Sequence, residues 1–479
     1  MNTSRQLLSG LILSSLSLVS LVGCDSDDSL GPGDACDPHY YLCPDGFVCA
    51  ELVTGGNRCS GELVLSGAIT NTSDGSAVEG AQVIALNEEG IAVADVARTD
   101  QMGNYELIAS AKRNADGSPA GTYTLWAAAQ RYQAFPGGGR VALPIDLRNA
   151  SSVDGRYRLD SALTHVGLIP LGVTDRSSMS GTITKLGGGL PGDTGGVLVV
   201  ASGANGAFSG VSDKAGNFTI FNLPAGEYEF RAYAVDMQNE GVNVAVPPDP
   251  VSGLTLSQKN MGLTTVTGSV ELVNAAGGAL TSVVLVVADT FDPLTARGEA
   301  PRGLRAPRTG SPDVNGNFSI SGVPAGRYVV LPAYENDDLV SAPNTDFVTL
   351  DVPVALGGPH PPPGPNVELK VTAALPTQSP GAEAPEAVTS KPELVWGDDS
   401  SADYYDVRVF DAFGDEVWNS LMVPGVSGSA TAQVQYAGPL DPGMYYQFRV
   451  SSWRAPSGED PVPIAESENQ RGVFYLPAP

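Results

Sequence analysis

Along most of this chain, apolar and polar residues alternate in short runs broken by glycine, proline and aspartate. Tyr105-Glu-Leu107, Phe218-Thr-Ile220 and Phe318-Ser-Ile320 follow the two-residue period of a strand that buries one face. Val83-Ile-Ala-Leu86, Val197-Leu-Val-Val200 and Val283-Val-Leu-Val-Val287 are unbroken apolar runs, which predict buried central strands. The pattern predicts an all-β chain.

These runs belong to an internal repeat. Asp100-Gln-Met-Gly103-Asn-Tyr105 precedes Pro119-Ala-Gly121-Thr-Tyr123. Asp213-Lys-Ala-Gly216-Asn-Phe218 precedes Pro224-Ala-Gly226-Glu-Tyr228, and Asp313-Val-Asn-Gly316-Asn-Phe318 precedes Pro324-Ala-Gly326-Arg-Tyr328. The second glycines fall 105 and 100 residues apart, a domain-sized spacing. The first copy carries eight extra residues between its two glycines. Asp-x-x-Gly predicts a turn in which the carboxylate accepts from backbone N–H groups and glycine takes the positive φ. Pro-Ala-Gly predicts a second turn, so each unit reads as hairpin-like. Ser66-Gly-Ala-Ile69, Ser180-Gly-Thr-Ile183 and Thr267-Gly-Ser-Val270 supply first strands.

On these motifs, residues 61–356 resemble the carboxypeptidase regulatory-like domain. That resemblance implies transthyretin-like sandwiches serving as accessory modules without catalysis, grouped with carbohydrate-binding folds. The expected units are 61–175, 176–262 and 263–356. Gly357-Gly-Pro-His-Pro-Pro-Pro-Gly-Pro365 opens an expected proline-rich spacer over 357–385. Residues 386–479 carry Pro392-Glu-Leu-Val-Trp396 and Pro442-Gly-Met-Tyr-Tyr446 and resemble a fibronectin type III domain. The resemblance implies a buried Trp396 and a tyrosine corner at Tyr446. The other tryptophans, 126, 418 and 453, also fall in strand-like contexts and are expected in cores.

Residues 1–23 read as a leader, with Arg5 before the apolar stretch Leu7 to Leu21. Leu21-Val-Gly-Cys24 resembles a bacterial lipobox, which implies cleavage before Cys24 and acylation of its sulfur. Several acyl chains would anchor the protein stably. Residues 24–35 form a polar tether. Asp25 resembles an inner-membrane retention signal of some bacteria, so which membrane holds the protein stays open, with the outer membrane or cell surface expected.

The remaining cysteines, Cys36, Cys43, Cys49 and Cys59, all lie within residues 36–60. An even set in an exported chain predicts two disulfides, with three possible connectivities. A zinc site would need close pairs such as C-x₂-C, which are absent. The segment 43–49 resembles small cysteine-rich modules that follow the anchor of other surface lipoproteins, implying a compact spacer. The expected fold class is therefore all-β: tandem Ig-like or transthyretin-like sandwiches after a small disulfide-rich module, displayed as a rod.

A net charge of −27 disfavours nucleic acid. His39, His165 and His360 lie in three separate segments, and no zincin, esterase or phosphate-loop motif occurs. No catalytic, cofactor-binding or metal residue is assigned. Calcium at Asp100, Asp213 and Asp313 competes with a simple turn role. Arg297, Arg302, Arg305 and Arg308 lie in an insertion spanning Asp289 to Pro312. They read either as a contact for an acidic polysaccharide or as a solvated loop. The expectation is a non-catalytic anchored protein for envelope structure, adhesion, or carbohydrate or protein binding. An accessory subunit of an envelope transport or secretion complex is the alternative, with an uncharacterised hydrolase behind it.

Overall fold

The computed structural model describes residues 30–37, 43–185, 193–260, 262–273, 279–310, 313–335, 337–354, 364–425 and 428–478. These residues form an all-β protein: strands joined by turns, with three short 3₁₀ helices and no α-helix among the described residues. The leader, Cys24, His39 and His360 lie outside the described residues. A two-stranded hairpin, Phe47–Glu51 with Asn57–Gly61, comes first, and tandem two-sheet sandwiches follow.

The three repeats share one topology, and it corrects the hairpin expectation. In the second copy Asn217–Leu223 pairs with the first strand, Ser177–Thr184, in one sheet. Gly226–Tyr233 pairs with the apolar strand Leu198–Gly203 in the other. The third copy pairs Asn317–Val323 with Thr264–Leu272 and Gly326–Pro332 with Val283–Val287. The first pairs Asn104–Ala109 with Leu63–Asn71 and Thr122–Ala128 with Gln82–Leu86. Pro-Ala-Gly is thus an arch between sheets. Proline has no N–H with which to extend the first ladder, so the chain leaves that sheet there. The tyrosine of each copy pins the arch. Tyr228 and Tyr328 donate to the Pro224 and Pro324 carbonyls at 3.0 and 2.9 Å, and Tyr123 donates to Ser110, which likewise follows its strand.

Each sandwich has its own core. Leu65, Val83, Tyr105 and Leu125 are central to the first, and Val199, Phe218, Ile220 and Phe230 to the second. Leu285, Phe318, Ile320 and Val330 fill the third. In the last, Trp396 is fully buried and meets Tyr405 edge-on at 5.4 Å, beside Tyr446 and Phe448.

The expected spacer is shorter than 357–385. Asn366–Ala373 is a strand running parallel to Thr264–Leu272, pairing Gly268 with Val367. Val367, Leu369 and Val371 alternate into the third core, a two-residue period that prolines on either side mask in the sequence.

Within the expected rod the sandwiches are stacked directly on one another. The outer face of the first, Ile84, Trp126 and Ala128, is covered by Val211 and Phe221 of the second. The outer face of the second, Leu198, Val200 and Tyr233, joins the core of the third, and Tyr233 meets Tyr328 edge-on at 5.9 Å. This explains the unbroken apolar runs: both faces of those strands are internal.

Position and bulge repeat with the stacking. In the second and third copies the pairing slips by one residue, a bulge at Phe221-Asn222 and at Ser321-Gly322. Both bulged residues are left-handed, with φ of 62° and 73°. Each meets the loop that follows the apolar sheet of the preceding sandwich. Asn222 accepts from the Arg131 N–H, and the Gly322 carbonyl accepts from Asp236 at 2.8 Å. A Cβ on Gly322 would collide with the Asp236 carboxylate, so glycine is required there. The first copy, which follows the cysteine hairpin, pairs without a slip.

The last sandwich is held by polar contacts. Asp338 N–H donates to Glu468 at 2.8 Å and Gln470 to the Tyr334 carbonyl at 3.0 Å. It also returns to the first sandwich: Gln133 donates to the Ala412 carbonyl at 2.6 Å, and the Arg140 guanidinium lies between the Phe135 and Tyr445 rings, at 5.3 and 5.2 Å.

Candidate functional site

The structure joins Cys36 to Cys49 and Cys43 to Cys59. Although Cys36, Cys43 and Cys59 gather their sulfurs within 4.8 Å, the two disulfides occupy all four thiols, which leaves no thiolate to bind a metal. The module is more than a spacer, because it is docked on the first sandwich by the eight-residue insertion of the first copy. Arg113 N–H donates to the Glu51 carbonyl and the Val53 N–H to the Arg113 carbonyl, both at 2.8 Å. The Arg113 side chain is fully buried, donates to the Gly61 carbonyl at 2.7 Å and lies over the Tyr157 ring at 5.5 Å. Burial lowers the pKa of its guanidinium. Outside, Lys112 pairs with Glu51 at 3.1 Å and Arg58 donates to Ala115 at 3.3 Å. No pattern in the sequence singles out Arg113, although the insertion carrying it is plain.

A cavity of about 980 Å³ lies between this docked module and the first sandwich. Val53 and Ile108 give it exposed apolar surface, at 59% and 56% exposure. Its charged rim is tied into the fold. Lys214 donates to Ser110 at 2.6 Å, Arg148 pairs with Asp146 at 2.6 Å, and Glu88 accepts from Thr122 at 3.0 Å. Such a cleft can bind an apolar surface with a polar border.

Asp100 and Asp213 behave as turn residues, whereas Asp313 leads into the short strand Val314–Asn315, which pairs with Leu280–Thr281. The Asp100 carboxylate accepts from Met102 and Asn104 N–H, each at 2.9 Å, with Gly103 at φ 77°. Asp213 accepts from Asn217 at 2.8 Å and also from Val96 of the first sandwich at 3.3 Å. His165 lies 2.9 Å from Asp160 on an exposed surface.

The four arginines of the 289–312 insertion are engaged with other parts of the chain. Arg297 donates to Gln447 and to the Asn469 carbonyl in the last sandwich, and burial beside Arg449 brings its pKa down to about 10. Arg302 donates to the Asp193 carbonyl and Arg305 to Glu335. Arg308 reaches Ser321 at 3.3 Å. Composition cannot distinguish a guanidinium facing water from one facing a carbonyl across a domain boundary.

No known family model matches the chain, and no curated protein matches it. Among solved structures it is similar to a streptococcal ancillary pilin, at 12% identity, covering 64% of this chain and 98% of that one, with a TM-score of 0.17. Two B repeat units of the collagen-binding protein of Staphylococcus aureus match at 10% identity, covering 85% and 100%, with a TM-score of 0.19. A DUF3823 family protein from Bacteroides ovatus matches at 11% identity, covering 44% and 99%, also at 0.19. Scores this low carry no functional argument.

Proposed function

We propose that this chain is a lipid-anchored envelope protein of a bacterium, acylated at Cys24, that presents a rigid stack of sandwich modules for adhesion, envelope structure or binding and performs no catalysis. The first three sandwiches are read as carboxypeptidase regulatory-like modules and the last as fibronectin type III-like. Two observations support the last assignment. Trp396 is fully buried, and the Tyr446 hydroxyl lies within bonding distance of Asp441, accepting from its N–H at 3.0 Å. The observation that carries the whole reading is the stack, whose modules spend their apolar faces and arginines on one another. Such a body is suited to holding surfaces at a fixed distance from an anchor. The cleft between the cysteine module and the first sandwich is the proposed contact for an envelope polysaccharide or protein partner.

The leader and anchor are tested by intact mass spectrometry of the full chain expressed in a bacterial host with its own leader. Acylated, processed protein is expected, and Cys24→Ser should release it from the membrane fraction. An unprocessed, unacylated amino terminus overturns the anchor. Binding is tested by presenting the purified stack to an array of envelope glycans and to envelope extracts. Silence in both leaves a purely architectural role.

A further inference from the structure

The four cysteines of the amino-terminal module are bridged two by two, yet their sulfurs form one cluster. The hairpin pairs Cys49 directly with Cys59. On the other edge of the same strand Ala35 bridges Arg58, which puts Cys36 on the face that carries Cys59. The Cys36, Cys43 and Cys59 sulfurs all lie within 4.8 Å of one another. Cys36 therefore has its sulfur beside both atoms of the neighbouring Cys43–Cys59 bridge. Exposure is uneven. Cys36, Cys43 and Cys49 are half-buried, whereas Cys59 is 2% exposed.

We propose that this module is a thiol–disulfide exchange site whose two bridges act as one unit, and that its reaction partner is a dithiol or, in reverse, a disulfide on another molecule. The first attack falls on the Cys36–Cys49 bridge, because both of its cysteines are half-buried while the other bridge has one buried end. A thiolate of the incoming dithiol bonds to the Cys49 sulfur, and Cys36 leaves as a thiolate. The second thiol of the dithiol then releases Cys49 as a thiol and departs as a disulfide. Next, Cys36 attacks the Cys59 sulfur. The Cys36–Cys59 bond forms, the Cys43–Cys59 bond breaks, and Cys43 leaves as a thiolate that takes a proton from water. Cys43 is the better leaving group of the two, since a half-buried sulfur carries charge more readily than the buried Cys59. The external dithiol has lost two electrons and two protons, and the module holds them as thiols at Cys43 and Cys49. Run backwards, the same steps reduce a disulfide of the partner. Backbone pairing holds the reacting sulfurs in place: Cys36 N–H donates to the Asn57 carbonyl at 3.3 Å and Cys59 N–H to the Asp34 carbonyl at 2.9 Å. This exchange does not depend on the anchor or on any ligand of the sandwiches.

The test treats the full chain, with both bridges closed, with limiting dithiothreitol, traps free thiols with N-ethylmaleimide and maps labelled and bridged peptides by mass spectrometry. Label on Cys43 and Cys49, with Cys36 bridged to Cys59, should exceed label on Cys36 several-fold. Label on Cys36 and Cys49 with the Cys43–Cys59 bridge intact overturns the exchange. So does equal label on all four, which means that the second bridge opens independently, and so does a module that takes no label. Cys49→Ser needs no reductant, because it leaves Cys36 without its partner from the start. Its free thiol should be found on Cys43, and a free thiol on Cys36 in the folded variant overturns the exchange whatever the parent shows.

Discussion

Asn222 and Tyr132 are joined across the first module boundary: the Asn222 Nδ2 donates to the Tyr132 carbonyl at 2.9 Å while its Oδ1 accepts from Arg131 N–H at 2.6 Å. One side chain satisfies donor and acceptor groups of a loop ninety residues away. Its left-handed backbone is what turns it toward that loop, and asparagine tolerates that conformation better than most residues.

Asn222→Ala should lower stability by about 2 kcal/mol, because it removes two hydrogen bonds across the boundary and strains a left-handed position. Asn222→Gly keeps the backbone and should cost roughly half as much. Urea unfolding of the two variants measures both. If alanine proves as stable as the parent, the boundary does not depend on this residue.

Trp126→Ala should cost about 3–5 kcal/mol, since the indole fills the seam between the first two sandwiches. The loss should split one unfolding transition into two, with the first sandwich melting early. Differential scanning calorimetry distinguishes this from a uniform decrease in melting temperature.

Alkaline pH should unfold the stack through its buried tyrosines. Burial raises Tyr233 and Tyr446 to about 12 and holds Tyr328 well above the usual phenol value of 10. The unfolded chain ionises near 10 and the folded one resists. Their stabilising contribution is therefore complete below pH 10 and lost as pH rises toward 12. Absorbance near 295 nm should show these phenols ionising together with loss of structure. Smooth ionisation of a still-folded protein would contradict the burial.

Opening the Cys36–Cys49 bridge with paired serine substitutions should destabilise the cysteine module by about 3 kcal/mol, the chain-entropy value for a loop near fifteen residues. Limited proteolysis should then cut within residues 43–60 while the sandwiches persist. Unchanged resistance would mean that Arg113 and its neighbours hold the module alone.

Much of this architecture was legible. Three copies of Asp-x-x-Gly and Pro-Ala-Gly mark the repeated turns, and the unbroken run Val283–Val287 announces a strand covered on both sides. What covers the second side was not legible. A bulge adds one residue, and the spacing of ten between the glycines in the second and third copies looks like regularity rather than docking. The arch reads as a hairpin in the sequence because turn chemistry is the same whether the next strand joins the same sheet or the facing one. Asn366–Ala373 was hidden by its setting, since its alternation is as clear as that of Tyr105 to Leu107. Neither a ligand contact nor a solvated loop describes Arg297 and Arg302, because their partners, Gln447 and Asp193, are remote in sequence.

The bulge makes the order of modules non-interchangeable. A sandwich without it cannot receive a predecessor, and one whose outer strands are roofed by its own loop, as Val286 and Val329 of the third are by Phe291, cannot receive a successor. Lengthening this protein by duplication would therefore succeed only by copying the middle unit, the one that is open in both directions. A tandem copy of the first or third would leave two modules that cannot engage each other.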